Sequence, residues 1–109
     1  MRYCLICLLS MVVSSGLSQV DSLVGVASHF YEEENYSAAL KHYRQAIKMD
    51  SSQIVFYEQA GISALKLGQL PEARALFIQL ETRDSSNVIA LRQLASIYEQ
   101  EENLSLIHI

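Results

Sequence analysis

Two stretches of this chain superimpose at an offset of 34 residues, and a third begins in the same register. Written as rows 20–53, 54–87 and 88–103, Ala39 stands over Ala73 and Tyr43 over Phe77. Asp50-Ser51-Ser52 stands over Asp84-Ser85-Ser86, and Phe30, Ala64 and Tyr98 share a column. A fixed period of this size marks a stack of supersecondary units, each unable to bury its apolar face alone. Such a chain folds into a quasi-one-dimensional array that presents a surface, which points away from a catalytic cleft.

Within each row apolar residues recur at steps of three and four, the spacing that puts side chains on one face of a helix. The first row offers Leu23, Val26, Ala27 and Phe30, then Ala39, Tyr43 and Ala46. The second offers Tyr57, Ala60, Gly61 and Ala64, then Ala73, Phe77 and Leu80. The third offers Leu91, Leu94, Ala95 and Tyr98. Each row therefore reads as two short antiparallel helices. Turn residues agree. Gly68 suits the left-handed position just past a helix end, and Pro71 suits the first turn of the helix that follows. Asn35 and Asn103 occupy the matching turns. Asp50-Ser51-Ser52 and Asp84-Ser85-Ser86-Asn87 supply capping residues between rows. Helices are expected near 21–33, 37–49, 53–67, 71–83 and 87–101.

These columns resemble the tetratricopeptide repeat, whose pattern is W-x2-L-G-x2-Y followed by Ala, an aromatic, Ala and Pro. The small pair is Val26-Ala27, Ala60-Gly61 and Leu94-Ala95. The tyrosine column is Phe30, Ala64 and Tyr98. The second half of the motif is Ala39-Tyr43-Ala46, then Ala73-Phe77 with Leu80. No Trp opens a row, and Ser51 and Ser85 stand where the closing Pro would be. The resemblance implies an all-α fold, a right-handed α-solenoid of antiparallel helix pairs, here about two and a half repeats. It also implies a concave groove lined by the first helix of each repeat, where a peptide or partner protein binds. By register the groove positions are Asp21, Val24, Gly25, Ser28, Tyr31 and Glu32 in the first row. The second gives Val55, Glu58, Gln59, Ile62, Leu65 and Lys66, and the third Ile89, Arg92, Gln93, Ser96 and Glu99. Val24, Ile62 and Leu65, with Tyr31 beside them, make an apolar centre inside a polar rim, the usual anatomy of a recognition surface. Ile62 and Leu65 are equally suited to packing between repeats. One subtype of the family clamps a peptide carboxylate with Lys and Asn where this chain has Val24 and Gly25, so that mode is not expected.

Residues 1–18 have another character. Arg2 precedes an apolar run of about ten residues, Cys4 to Val13, and then Ser14-Ser15-Gly16-Leu17-Ser18. That is the layout of a cleaved signal peptide. The alternative, a membrane anchor over residues 4–18, would want roughly 18 or more apolar residues. The expectation is export to a periplasmic or extracellular space, with the repeat domain beginning at residue 19. Cys4 and Cys7 are the only cysteines. Their C-x-x-C spacing is read as apolar filler of the targeting segment, leaving a mature chain without thiols.

The net charge is −4. Without Arg2, seven basic residues face twelve acidic ones, a net of −5, which disfavours nucleic acid and anionic lipid as partners. Glu32-Glu33-Glu34 reads as a solvated helix end. His29 can meet Glu32 or Glu33 across a helical turn. His42 lies with Lys41 and Arg44 on a polar face, and His108 in the tail. No third ligand with fixed spacing accompanies them. No phosphate loop, no nucleophile elbow and no H-E-x-x-H is present. The expectation is a non-enzyme without metal or cofactor. Asn35-Tyr36-Ser37 and Asn103-Leu104-Ser105 match the glycosylation acceptor pattern.

From Leu104 the chain reads Leu-Ser-Leu-Ile-His-Ile, and the apolar periodicity breaks. That hexapeptide resembles the translation of a transposon-end sequencing adapter. Residues 104–109 are therefore expected to be a non-native tail, and the chain a fragment of a longer protein. A stack needs about three repeats and a polar capping helix. Self-association through the uncapped last helix is expected. The alternative function is an N-terminal repeat region of a larger enzyme or transport or assembly factor.

Overall fold

A computed structural model describes residues 20–107, and all regular structure among them is α-helical. Helix α1 spans residues 20–32. It is followed by α2 (Tyr36–Met49), α3 (Ile54–Lys66), α4 (Leu70–Arg83) and α5 (Val88–Ile107). The segment read as a signal, both cysteines and His108 lie outside the described residues.

The turn chemistry repeats with the 34-residue period. Gly68, at φ +76°, sits in the left-handed region, and so does Glu34, one period earlier, at φ +62°. After α1, the Glu34 N–H donates to the Tyr31 carbonyl at 3.1 Å and the Asn35 N–H to the Phe30 carbonyl at 2.8 Å. After α3, Gly68 donates to Leu65 at 3.0 Å and Gln69 to Ala64 at 2.9 Å. Both are the paired bonds of a Schellman turn, which satisfy carbonyls left open at a helix end. The next helices then start with Asn35, whose side-chain oxygen accepts from the Ala38 N–H at 3.4 Å, or with Pro71 inside the first turn.

Between rows the aspartates work differently from the expected helix caps. Asp50 and Asp84 end α2 and α4, donating back to Ala46 and Leu80 at 2.9 Å each. The Asp50 carboxylate then gathers the Ser52 N–H, the Ser52 hydroxyl and the Gln53 amide. Those bonds hold its pKa below the ordinary aspartate value. The start of α5 is capped by Asn87, which accepts from the Ala90 N–H at 2.9 Å.

Consecutive helices pack in order, α2 on α3, α3 on α4 and α4 on α5. The core is one continuous strip. It contains the expected Ala27, Ala39, Tyr43, Ala46, Tyr57, Ala60, Ala64, Ala73, Phe77, Leu80 and Leu94, all buried. Gly61 belongs with them. An added Cβ there would lie 2.7 Å from Cζ of Phe77. Tyr57 takes the column where the family pattern has Trp. It is 1% exposed, its hydroxyl donates to the Ser51 carbonyl at 3.0 Å, and the Arg83 guanidinium stacks 4.4 Å above its ring. Arg83 Nε donates to the same Ser51 carbonyl at 3.0 Å, joining the start of α3, the end of α4 and the loop between rows.

The structure departs from expectation in several places. Val26, Leu91, Ala95 and Tyr98 were placed on buried faces, yet all four are exposed. Each lies on the side of an end helix that carries no neighbour among the described residues. His42, expected on the polar face with Lys41 and Arg44, takes a structural place there. It is half-buried, its Nδ1 lies 2.8 Å from the Ala38 carbonyl oxygen, and its ring packs 5.4 Å from that of Phe30. Finally, α5 does not end near residue 101 and its helix does not break at Leu104; the backbone stays helical to Ile107. Residue 102 stands one period after Gly68 and is a glutamate. Turning there would put a side chain in the left-handed region, at a cost of about 1–2 kcal/mol. No second helix of the third row lies among the described residues to offset that cost, whereas α2 does so for Glu34.

Candidate functional site

The first helix of each row, α1, α3 and α5, carries the expected groove residues. Val24 and Tyr31 on α1, and Ile62 and Leu65 on α3, are half-buried and packed against the core. The apolar centre is therefore shared between the interior and the surface. The Tyr31 ring meets Tyr36 of α2 edge to face, centroids 5.6 Å apart. Burial and then the neighbouring Tyr36 push its phenol above the ordinary value of 10.0. Ser28 is half-buried, and its hydroxyl acts on the Tyr43 phenol, opposing the rise in pKa that burial causes there.

The polar rim divides in the same way. Glu58 accepts from the Asn87 side-chain amide at 2.9 Å, which ties α3 to the start of α5. Gln59 has a buried side-chain oxygen with no hydrogen-bond partner, and it alone shows this among the described residues. Gln93 is half-buried. Ser96, also half-buried, accepts from Gln100 at 3.2 Å. Arg92 is exposed and makes no ion pair among the described residues.

Ion pairs lie elsewhere. Arg44 of α2 meets Glu72 of α4. Arg74 of α4 grips both carboxylate oxygens of Glu101 on α5, at 2.9 and 2.7 Å. Sequence reasoning missed this clamp because its partners are 27 residues apart and off the 34-residue register. His29 meets Glu33 at 3.2 Å, as the helical spacing allows. Among the described residues no group of three His, Cys, Asp or Glu side chains could hold a metal ion, and no helix is long and apolar enough to cross a membrane.

Stacked helix pairs whose first helices share a mixed apolar and polar surface define an all-α helical-repeat protein. The family model described as tetratricopeptide repeat matches residues 58–106. Among solved structures the chain is similar to the Arabidopsis OM64 TPR domain, with a TM-score of 0.74 and 17% identity, covering 81% of this chain and 73% of that one. At that identity the likeness shows the fold. No curated protein matches. These findings support a tetratricopeptide-repeat protein, a fold that in general serves as a non-catalytic scaffold for protein–protein interaction.

Proposed function

We propose that this chain is an exported scaffold that binds a peptide or partner protein along the surface shared by α1, α3 and α5. The observation that carries the reading is the half-solvated apolar strip of Val24, Tyr31, Ile62 and Leu65, bordered by side chains such as Arg92 that are not committed inside the fold. Exposed apolar surface rimmed by polar groups is where recognition energy concentrates. Peptides selected on the chain from a random library should bind in this groove. Tyr31→Ala and Leu65→Asp should each weaken those peptides about tenfold or more, the loss of one buried anchor, with helix content unchanged. Equal binding by both variants sinks the groove assignment.

Export rests on the layout of residues 1–18. N-terminal sequencing of the expressed chain should give a start near Gln19; retention of Met1 in a membrane fraction favours the anchor over residues 4–18. A second reading, a repeat region of a larger enzyme or transport or assembly factor, is favoured by the apolar face that α5 leaves open. The uninterrupted gene separates the two.

A further inference from the structure

Charge is sorted between the two sets of helices. Of the twelve acidic residues, eight lie on α1, α3 and α5 or in the turn that ends α1. Of the seven basic residues other than Arg2, only Lys66 and Arg92 lie there. That set bears a net of −6, two basic against eight acidic. The other set, α2 and α4, has five basic residues against two acidic, a net of +3. The imbalance is sharpest at α1. Residues 20–34 include Asp21, Glu32, Glu33 and Glu34 and no Lys or Arg. Glu33 is engaged by His29, whereas Glu32 and Glu34 are exposed and make no ion pair among the described residues. The residues outside the description add a single Lys or Arg side chain, Arg2, so the sign of this end does not depend on them.

An aromatic corner stands beside these carboxylates. The half-buried Tyr31 ring meets Tyr36 edge to face, centroids 5.6 Å apart. Glu32 follows it at the carboxyl end of α1, the negative pole of the helix dipole. Glu32 and Tyr31 both act on the Tyr43 phenol, which sets carboxylate and ring on the same side of α1. One helix along, the character changes. There α3 brings Ile62 and Leu65, half-buried against the core. Lys66 takes the column that Glu32 holds one period earlier, and it too is exposed and without an ion pair among the described residues. The groove is thus anionic at α1, apolar at its centre and cationic at that column of α3. We propose that it takes a basic peptide segment, with a Lys or Arg side chain seated on Tyr31 against Glu32 and aliphatic side chains on Ile62 and Leu65. A cation gains from the tyrosine face and from the carboxylate together. An acidic side chain at the same place would meet like charge. The polarity also fixes how the segment lies, because a reversed one would set its cation against Lys66. This rests on the groove being the binding surface, and adds the charge and the order of its occupant.

The test is selection of random-library peptides on the full chain, followed by their affinities for variants. The selected peptides should carry Lys or Arg at one end and aliphatic residues beside it. Glu32→Gln should weaken them about fivefold, the loss of one partly exposed charge pair, with helix content unchanged by circular dichroism. Gln79→Lys makes the same change of net charge at an exposed position on α4, and should leave them nearly as tight. Leu65→Ala should weaken them as well. Selected peptides that depend on Leu65 but are acidic or uncharged overturn the proposal and leave the groove standing. So does binding that is unchanged in Glu32→Gln, or that falls equally in Gln79→Lys, since net charge alone would then be the cause. Peptides that bind Leu65→Ala as tightly as wild type, or a library that yields none, sink the groove itself and the proposal with it.

Discussion

Glu34 is the one described residue other than glycine with a positive φ. It stands one period before Gly68, makes the same pair of turn bonds, and bears the steric cost that Gly68 avoids. Replacing it should therefore help. Glu34→Gly is expected to raise stability by about 0.5–1 kcal/mol, the left-handed penalty less the extra freedom of an unfolded glycine. Gly68→Ala should lower it by about 1–2 kcal/mol, both measured by urea unfolding. Opposite signs at equivalent positions are the signature; a loss in both variants contradicts the shared turn. Gln59 is a second residue-scale case. Its buried, unpartnered oxygen is desolvated without return. Gln59→Met should hold or slightly raise the melting temperature while weakening peptides that use the groove.

At the scale of elements, α3 is confined on both sides, because α2 and α4 both pack on it. Gly61 is where that confinement is tightest. Gly61→Ala would drive a Cβ to 2.7 Å from the buried Phe77 ring. Overpacking of about 1–3 kcal/mol outweighs the roughly 1 kcal/mol that alanine gains over glycine in a helix, so urea unfolding should show net destabilisation. Gly61→Ala with Phe77→Leu should recover part of it. Ala27 occupies the same column in the first row, so the demand comes from the placement of Phe77 and not from the repeat itself. The sequence made one apolar stripe per helix legible, the stripe that carries the period. It did not reveal the second stripe, Leu40, Phe56, Leu76, Ala90 and Ile97, all buried. A helix between two neighbours needs two faces, and the second is irregular from row to row. For the same reason Leu91 and Tyr98 were misjudged: their columns are core only where a following helix covers them.

For the whole molecule, the titration of the tyrosine group is a usable probe. Burial pushes the Tyr31 and Tyr43 phenols above the ordinary value of 10.0; for Tyr43 the Ser28 hydroxyl opposes the shift, while Tyr31 and Glu32 add to it. A folded pKa above the unfolded one means the folded state holds its protons longer, so stability is complete below pH 10 and is lost as pH rises beyond it. The melting temperature should fall between pH 9 and 11, and fall less in the Tyr31→Phe/Tyr43→Phe variant; identical slopes would contradict the burial. The groove was legible as a set of positions, since register alone assigns them. Its chemistry was not, because Glu58 spends its carboxylate on Asn87, a contact that no spacing announces. The Ser51 carbonyl, held at once by Tyr57 and Arg83, has a directional consequence. It bolts the middle of the stack, while among the described residues α5 is held on one side only, by α4. In an array governed by nearest neighbours, opening should begin at α5 and peel toward the bolt. Amide hydrogen exchange should then be fastest in α5 and slowest in α3, and whatever seats on α5 acts as a latch on the whole array.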